Sequence, residues 1–361
     1  MSSHEPFMAR ALQLAERALY TTTPNPRVGC VIVSDAGAVV GEGWHERAGE
    51  PHAEVHALRA AGAAARGATA YVTLEPCSHF GRTPPCCDAL IAAGVKRVVA
   101  AMQDPNPLVA GQGFARLRAA GIDVEVGVLG EQAWRLNEGF VSRVTRGRPW
   151  LRLKLAATLD GKTALNNGQS QWITGEAARA DGHHWRARAC AVLTGIGTVL
   201  ADNPRLNARA VDTPRQPMKI VVDRHLHTPL DAAVLQGAPT LIATAVEDTE
   251  RHRPYVDAGA QIVALPDANG RVDLAALMIE LGRRNVNEVL SEAGARLNGA
   301  LVTAGLADAV LLYLAPSFFG DAARGLLALP EMTDLDQRRD LLIDDMTPMG
   351  DDLRLLARFK H

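Results

Sequence analysis

Strand-like and helix-like segments alternate along this chain in two runs, and the break between the runs constrains the fold more than any other feature. In the first run, VGCVIVSDAG (residues 28–37) reads as a buried strand ending in a turn, and HAEVHALRAAGAAAR (52–66) as a helix. ATAYVTLEPC (68–77) is a second strand, a helix starts over 88–93, and further strands lie over 95–101 and 122–129. Met8, Leu12, Ala15 and Leu19 recur at helical spacing and predict an amphipathic helix ahead of the first strand. The alternation stops in SRVTRGRPW (142–150), which is basic and carries Gly147 and Pro149. It then restarts: strand WLRLKLAATLDG, a helix over about 175–188, strands ACAVLTGIG, MKIVVDR and PTLIATA, a helix over about 273–284, and strands EVLSEAG and DAVLLYLAP. The tail DDMTPMGDDLRLLARF reads as one final strand with an acidic approach, and 323–341 as a surface loop and helix. The pattern predicts two layered α/β domains, over 1–147 and 148–361, each long enough to bury its own core.

Composition narrows the partners. Hydrophobic residues at 47% and charged residues at 22% exclude a disordered chain. The 38 Lys and Arg against 40 Asp and Glu leave a formal charge of −2, which gives no basic field for a nucleic-acid backbone. Aromatic residues at 4% supply few stacking platforms for single strands. No apolar run approaches the ~18 residues of a membrane span, and MSSHEPFMARALQLAERALY lacks the basic start and apolar core of a signal peptide. Five cysteines, an odd number, fit a reducing compartment better than a disulfide framework. A cytoplasmic protein acting on a small molecule, with no nucleic-acid or membrane partner, is expected.

The chemistry concentrates in three pieces of the first half: His52-Ala53-Glu54, Pro76-Cys77 and Pro85-Cys86. One imidazole and two thiolates suit Zn²⁺ and leave a fourth position open for water, as catalytic rather than structural sites do. H-x-E followed by Pro-Cys and a second Cys is the signature of zinc-dependent base deaminases, in which the Glu carries protons and does not bind metal. The spacing departs from that signature. Eight residues, Ser78 to Pro85, separate the cysteines where a generic nucleoside deaminase has two, and they add His79 and Arg82 beside the metal. Both suit a specialised, phosphorylated substrate. Cys87 and His56 are the residues that could close the site into a structural one, whereas Cys30 and Cys190 sit in apolar strand runs and read as core.

Thr23-Pro24-Asn25-Pro26-Arg27-Val28-Gly29, Gly43-Trp44-His45, PHAE and TLEPCSHFGRTPPC together resemble the deaminase half of the bifunctional riboflavin-biosynthesis deaminase/reductase family. The resemblance implies a cytidine-deaminase-like three-layer α/β/α domain. In it His52, Cys77 and Cys86 hold zinc, Glu54 is catalytic, and Asn25, His45, His79 and Arg82 contact substrate. Arg82 stands where the family often has Lys, so a point charge becomes a planar fork.

In the second half, Gly195-Ile196-Gly197 follows a strand but lacks the third glycine of a dinucleotide fingerprint, and Glu292-Ala293-Gly294 precedes a plausible helix N-terminus. LKLAATLDGKTA (153–164), QSQWITG (169–175), ARACAVLTGIGTVLADNPRLNAR (187–209) and SEAGARLNGAL (291–301) resemble the reductase half of the same family, with a dihydrofolate-reductase-like α/β fold. By that resemblance Ala156, Trp172, Thr198, Asp202 and the stretch from Gly294 through Ala295 and Arg296 to Ala300 bind NADPH. Ser170, Arg186, Leu206, Arg209 and Glu292 bind substrate, with Arg186 and Arg209 as clamps for its phosphate. Lys154 and Glu292 are the ionisable candidates for a proton donor, with no basis for ranking them. Asn203 stands where the family usually has a second Asp. The implied activity is hydrolytic deamination of 2,5-diamino-6-(5-phosphoribosylamino)pyrimidin-4(3H)-one, then NADPH-dependent reduction of its ribosyl group, in a homodimer or tetramer. The competing expectation is a zinc deaminase of another nucleobase or of nucleic acid with an inactive accessory domain; a zinc-stabilised binding module is the non-enzymatic one.

Overall fold

The computed structural model describes residues 3–78, 85–107 and 109–360. The chain falls into two compact units, residues 1–147 and 148–361. In the first, helix α1 (Glu5–Glu16) leads into β1 (Gly29–Val33), β2 (Val39–Trp44), α2 (Ala53–Ala61), β3 (Thr69–Val72), α3 (Cys86–Ala93) and β4 (Arg97–Ala100). Then come α4 (Gln112–Ala119), β5 (Asp123–Val126), α5 (Gly130–Leu136) and α6 (Glu138–Arg146). The sheet order is β2-β1-β3-β4-β5; β1 runs antiparallel to both its neighbours, and β3, β4 and β5 are parallel. Strand residues alternate between two cores. Cys30 and Ile32 pack under Ala57, Leu90 and Leu117 of α2, α3 and α4, while Val31 and Val33 face Met8 and Leu14 of α1. The result is a three-layer α/β/α sandwich.

The second unit holds β6 (Trp150–Thr158), β7 (Lys162–Ala164), α7 (Glu176–Arg188), β8 (Ala191–Gly195), α8 (Ile196–Asp202), β9 (Met218–Val222), β10 (Thr240–Thr244) and α9 (Thr249–Asp257). After them come β11 (Gln261–Ala264), α10 (Leu274–Arg283), β12 (Glu288–Ser291), α11 (Ala295–Thr303), β13 (Ala309–Ala315), β14 (Arg324–Gly325), β15 (Leu341–Met349) and β16 (Asp352–Phe359). Nine strands form one sheet in the order β11-β10-β9-β8-β12-β6-β13-β16-β15, parallel up to β13 and antiparallel beyond it. Leu277, Met278 and Leu301 of α10 and α11 cover one face, and Ala178, Val199 and Tyr255 of α7, α8 and α9 the other.

Two expectations for the tail are corrected. The acidic approach is itself a strand: β15 and β16 form a hairpin turning at Gly350, and Asp344 and Asp345 pair with Arg358 and Arg354 of β16 at 2.8 and 3.0 Å. Segment 323–341 has no α-helix: it holds β14, a 3₁₀ turn at Leu335–Gln337 and the first residue of β15. The basic run before 147 is the end of α6, where Arg143 and Arg146 complement the helix dipole and Gly147 ends the helix at a positive φ of 69°.

One contact in the first unit places a functional element. A Cβ added at Gly41 would lie 2.2 Å from the Ala57 carbonyl oxygen, and one at Gly43 2.6 Å from that of Ala53. These bare positions on β2 let the backbone of α2 lie directly on the strand. Gly43→Ala is therefore expected to destabilise the fold by about 1–3 kcal/mol through overpacking, read as a lower urea midpoint. Gly182→Ala, in α7 with nothing within 4 Å of an added Cβ, serves as the control and should leave the midpoint unchanged or higher.

Candidate functional site

Two helix N-termini and one loop build the constellation in the first unit. His52 is the N-cap of α2, Glu54 lies in its first turn, and Cys86 is the first residue of α3. Cys77 lies on the segment that leaves β3. His52 Nδ1 is 3.5 Å from Cys77 Sγ and 3.3 Å from Cys86 Sγ, and all three ligand atoms lie within 4.8 Å of one another. Tetrahedral Zn²⁺ with Zn–N of ~2.05 Å and Zn–S of ~2.3 Å needs N···S edges of ~3.6 Å. The donor set fits the ion in type and spacing. Electrostatics agree: the Cys86 thiol hydrogen-bonds to Cys77 and holds it down to about 4, with help from His52 and the Cys86 N–H. Cys86 is pushed up in turn by that hydrogen bond and by burial. A cation between the sulfurs resolves this by taking both as thiolates.

Among the described residues the group contains His52, Cys77 and Cys86 and no fourth ligand. Cys87 turns away, its Sγ donating to the Pro76 carbonyl at 3.2 Å, and His56 stays outside the group. Cys30 and Cys190 are buried in the two cores. Glu54 is buried at 3% exposure, and burial raises its carboxyl above the ordinary range.

These residues open into a cavity of about 500 Å³. Asn25 and His45 line it. The His45 Nδ1 faces the Pro51 carbonyl at 3.1 Å, so it carries the ring proton, and Nε2 accepts from Asn25 Nδ2 at 3.1 Å. Burial lowers the His45 pKa and keeps the ring neutral. Asn25 thereby turns its carbonyl oxygen into its remaining recognition group. The loop that carries Asn25 is anchored by Asn137, whose amide accepts from Arg27 N at 2.8 Å and donates to Arg27 O at 2.9 Å. His79 and Arg82 lie outside the described residues. The cavity also uses Glu75, Asp104, Asn106, Val109 and Phe140, which the sequence reading did not single out. The turn-forming run Asp104-Pro105-Asn106-Pro107 was the available signal.

In the second unit β8, β12, β6 and β13 run parallel, so their carboxyl ends share one edge of the sheet. Glu292, just past β12, receives Arg186 of α7 bidentately at 2.5 and 2.7 Å. Burial opposes ionisation of Glu292, but Arg186, then Lys154, hold its carboxyl down to about 2. Lys154 sits on β6 over the ring of Tyr313, Nζ 5.7 Å from the centroid, and burial lowers its pKa. Ala156 shares its face two residues on. Arg209 and Arg186 meet at Asn207, at 3.0 and 3.2 Å, and His183, held down to about 4 by burial and the two arginines, accepts from Arg209 N. The fork of Arg186 is thus occupied by Glu292, which leaves Arg209 the freer of the two arginines expected to clamp a phosphate. Leu206, buried, holds a positive φ of 50° between them.

The first turns of α8 and α11 stand side by side: a Cβ at Gly294 would lie 3.9 Å from Thr198 Oγ1. Ala295 and Arg296 open α11, whose leading N–H groups have no intrahelical acceptors. This paired set of N–H donors suits a pyrophosphate. Asp202 is exposed at the far end of α8, Ser170 is half-buried on the segment before α7, and Trp172 is exposed under the guanidinium of Arg179 at 4.7 Å. Asn203 caps α8 at a positive φ of 41°, and its Oδ1 accepts from Ala233 N at 2.8 Å. Asn tolerates that conformation well, so the departure at 203 has a structural account of its own.

Comparison with known proteins matches both halves. The model of the RibD C-terminal domain covers residues 149–346, and that of the cytidine and deoxycytidylate deaminase zinc-binding region covers residues 1–102. The riboflavin biosynthesis protein RibD of Escherichia coli K12 is 50% identical over 364 residues, 97% of this chain and 98% of that protein. The solved RibD of Acinetobacter baumannii superposes with a TM-score of 0.91 at 42% identity, over 99% of each chain. A diaminohydroxyphosphoribosylaminopyrimidine deaminase/5-amino-6-(5-phosphoribosylamino)uracil reductase from Thermotoga maritima does so with a TM-score of 0.88 at 35% identity, over 99% of each chain. With a deaminase-type zinc-binding region in one half and a reductase domain in the other, the chain belongs to the RibD family of riboflavin biosynthesis proteins.

Proposed function

We infer that this chain is a bifunctional enzyme of riboflavin biosynthesis, a zinc deaminase and a reductase acting in sequence on one small molecule. It removes the 2-amino group of 2,5-diamino-6-(5-phosphoribosylamino)pyrimidin-4(3H)-one, and NADPH then reduces the ribosyl group of the product to ribityl phosphate. The observation that carries the reading is the open three-ligand set of His52, Cys77 and Cys86 beside a buried Glu54 in a cavity sized for a nucleotide-like molecule. The Thermotoga relative, which bears both activities in its name, supports it.

Bound at His52, Cys77 and Cys86, Zn²⁺ supplies Lewis acidity and lowers the pKa of a water in its open position toward neutrality. Glu54 is the proton carrier. Its carboxyl oxygen takes the proton of the attacking water, passes it to the ring nitrogen beside C2, and later protonates the departing amine. The raised pKa from burial suits a group that must hold the proton between these transfers. The Asn25 carbonyl, oriented by neutral His45, accepts from an N–H of the heterocycle.

In the reductase, NADPH supplies hydride to the ribosyl C1. The N–H cradle of α8 and α11 binds its pyrophosphate, with Ala156, Trp172, Thr198 and Asp202 as further contacts. Ser170, Leu206 and Arg209 hold the substrate, Arg209 at its phosphate. The electrostatics support Lys154 over Glu292 as the proton donor. Glu292 stays ionised beside Arg186, whereas Lys154, with its pKa lowered by burial, is the donor to the ring oxygen that becomes a hydroxyl. No helix among the described residues is long and apolar enough to cross a membrane. The same reading makes the enzyme cytoplasmic and a homodimer or tetramer, which light scattering of the purified protein tests.

Mass spectrometry of products from the diaminopyrimidinone, with zinc-loaded protein, checks the whole reading. The uracil should accumulate without NADPH, and the ribityl product should appear only with it. Glu54→Gln should lower deamination by at least about 10²-fold with zinc content unchanged by elemental analysis and reduction of the pre-formed uracil intact. For the reductase, a lysine with a lowered pKa loses its active, protonated form as pH rises. The kcat profile should therefore fall at a pH below the ordinary lysine value of about 10.4, and Lys154→Met should abolish that limb along with most of the rate.

A further inference from the structure

We propose that Glu75 is a positioning residue of the deaminase pocket, clamping residues 104–107 and 109–114, which supply one of its walls, and thereby setting substrate affinity. The proposal rests on the reading of this cavity as the deaminase site. Glu75 is 5% exposed, and its carboxylate accepts four backbone N–H groups from that one stretch. Asp104 N and Gly111 N donate to Oε2 at 3.1 and 2.9 Å, and Gly113 N and Phe114 N to Oε1 at 2.8 and 3.3 Å. Two of the four belong to the first turn of α4, whose N–H groups have no intrahelical acceptor and need an outside one. A buried carboxylate that accepts from four backbone donors, with no cation bonded to it among the described residues, is an anchor, not a surface ion.

What the anchor holds is the wall of the cavity. Asp104, Asn106 and Val109 line it together with Asn25, His45 and His52. Asp104 passes the register on, its Oδ1 accepting from Asn106 N at 2.8 Å. The same stretch locks onto the ligand-bearing segment. A Cβ at Gly113 would lie 2.1 Å from the Pro76 carbonyl oxygen, and Arg116 donates to the Ser78 carbonyl at 3.1 Å. This wall lies beyond the 1–102 region shared with cytidine-type deaminases at large. It lines the cavity and, among the described residues, supplies no metal ligand of its own, so its part is to shape the space the substrate enters, while the metal ligands and Glu54 perform the chemistry.

Glu75→Gln turns one acceptor oxygen into an amide that faces two N–H donors, an unsatisfiable arrangement worth about tenfold or more in equilibrium terms. In the full-length, zinc-loaded protein the KM for deamination should rise by about tenfold or more while kcat changes by less than about threefold. Zinc content and reduction of the pre-formed uracil should be unchanged, and hydrogen exchange should quicken in the amides of 104–114 alone. Unchanged KM and exchange in a variant that keeps zinc and reductase activity would overturn the proposal. So would zinc loss with a fall in kcat at constant KM, because Glu75 would then only support Cys77. If the glutamine variant loses reductase activity as well, Glu75→Asp, one methylene short of the same donors, is measured against the same outcomes. Failure of the wild-type protein to deaminate the pyrimidinone would instead defeat the functional reading, and the exchange comparison would still decide whether Glu75 anchors the stretch.

Discussion

The deaminase half depends on the contact of α2 with β2 through bare glycine positions. With no side chain between them at Gly41 and Gly43, the helix backbone sits directly on the strand. Its neighbour α3 packs beside it over the same core. Both helices then begin close together, and residues at their starts, His52 and Cys86, meet Cys77 at metal-ligand distances. A helix start is suited to this use. It presents side chains without a preceding turn in the way, and its positive end favours a thiolate. The burial of Glu54 is a further consequence, since the first turn of α2 is held down on the sheet.

The reductase half is governed by a different constraint, charge confined in a low-dielectric space. Arg186, Glu292 and Lys154 share one buried pocket of the sheet edge, and two cations face one anion. The two cations keep the anion ionised against its burial, whereas for Lys154 burial outweighs the attraction of Glu292 and, with repulsion from Arg186, weakens its hold on the proton. Tyr313 adds a ring face beneath Nζ and is itself fixed by a hydrogen bond from its hydroxyl to Asp181 at 2.6 Å. The pairing of Arg186 with Glu292 also changes the role of that arginine. It orders the carboxylate and leaves Arg209 the less engaged of the two arginines, beside a histidine kept neutral by burial and by both of them.

Regular, strongly apolar elements were legible. β1, β3, β9, β10 and β13 fall within the segments read as strands, and α7 and α10 match the helical stretches to within a residue or two. Elements carried by weaker patterns were not. α4, α5 and α6 are short and polar; α4 takes its N-terminal acceptor from Glu75, far away in sequence, and Asn137, which joins α5 to α6, directs its amide to the backbone of Arg27. The charge-rich tail concealed β15 because a strand with aspartates looks like a loop until the arginines of β16 stand opposite. α8 was hidden inside a glycine-containing run that reads equally well as the end of a strand.

The sequence by itself determined which side chains are candidates for the chemistry. His52, Glu54, Cys77 and Cys86 are named by residue type and spacing, because metal coordination and proton transfer demand particular elements and functional groups. Tertiary structure alone decided how those groups are supported and tuned. Glu75 reaches residues 29 to 39 positions away, and Arg186 and Glu292 meet across 106 residues. Such pairings leave no periodicity or motif in the chain, since hydrogen bonds and Coulomb forces act through space. The lowered pKa of Lys154, the ionised state of Glu292 and the engagement of Arg186 are set by burial and neighbours that exist only once the chain has folded.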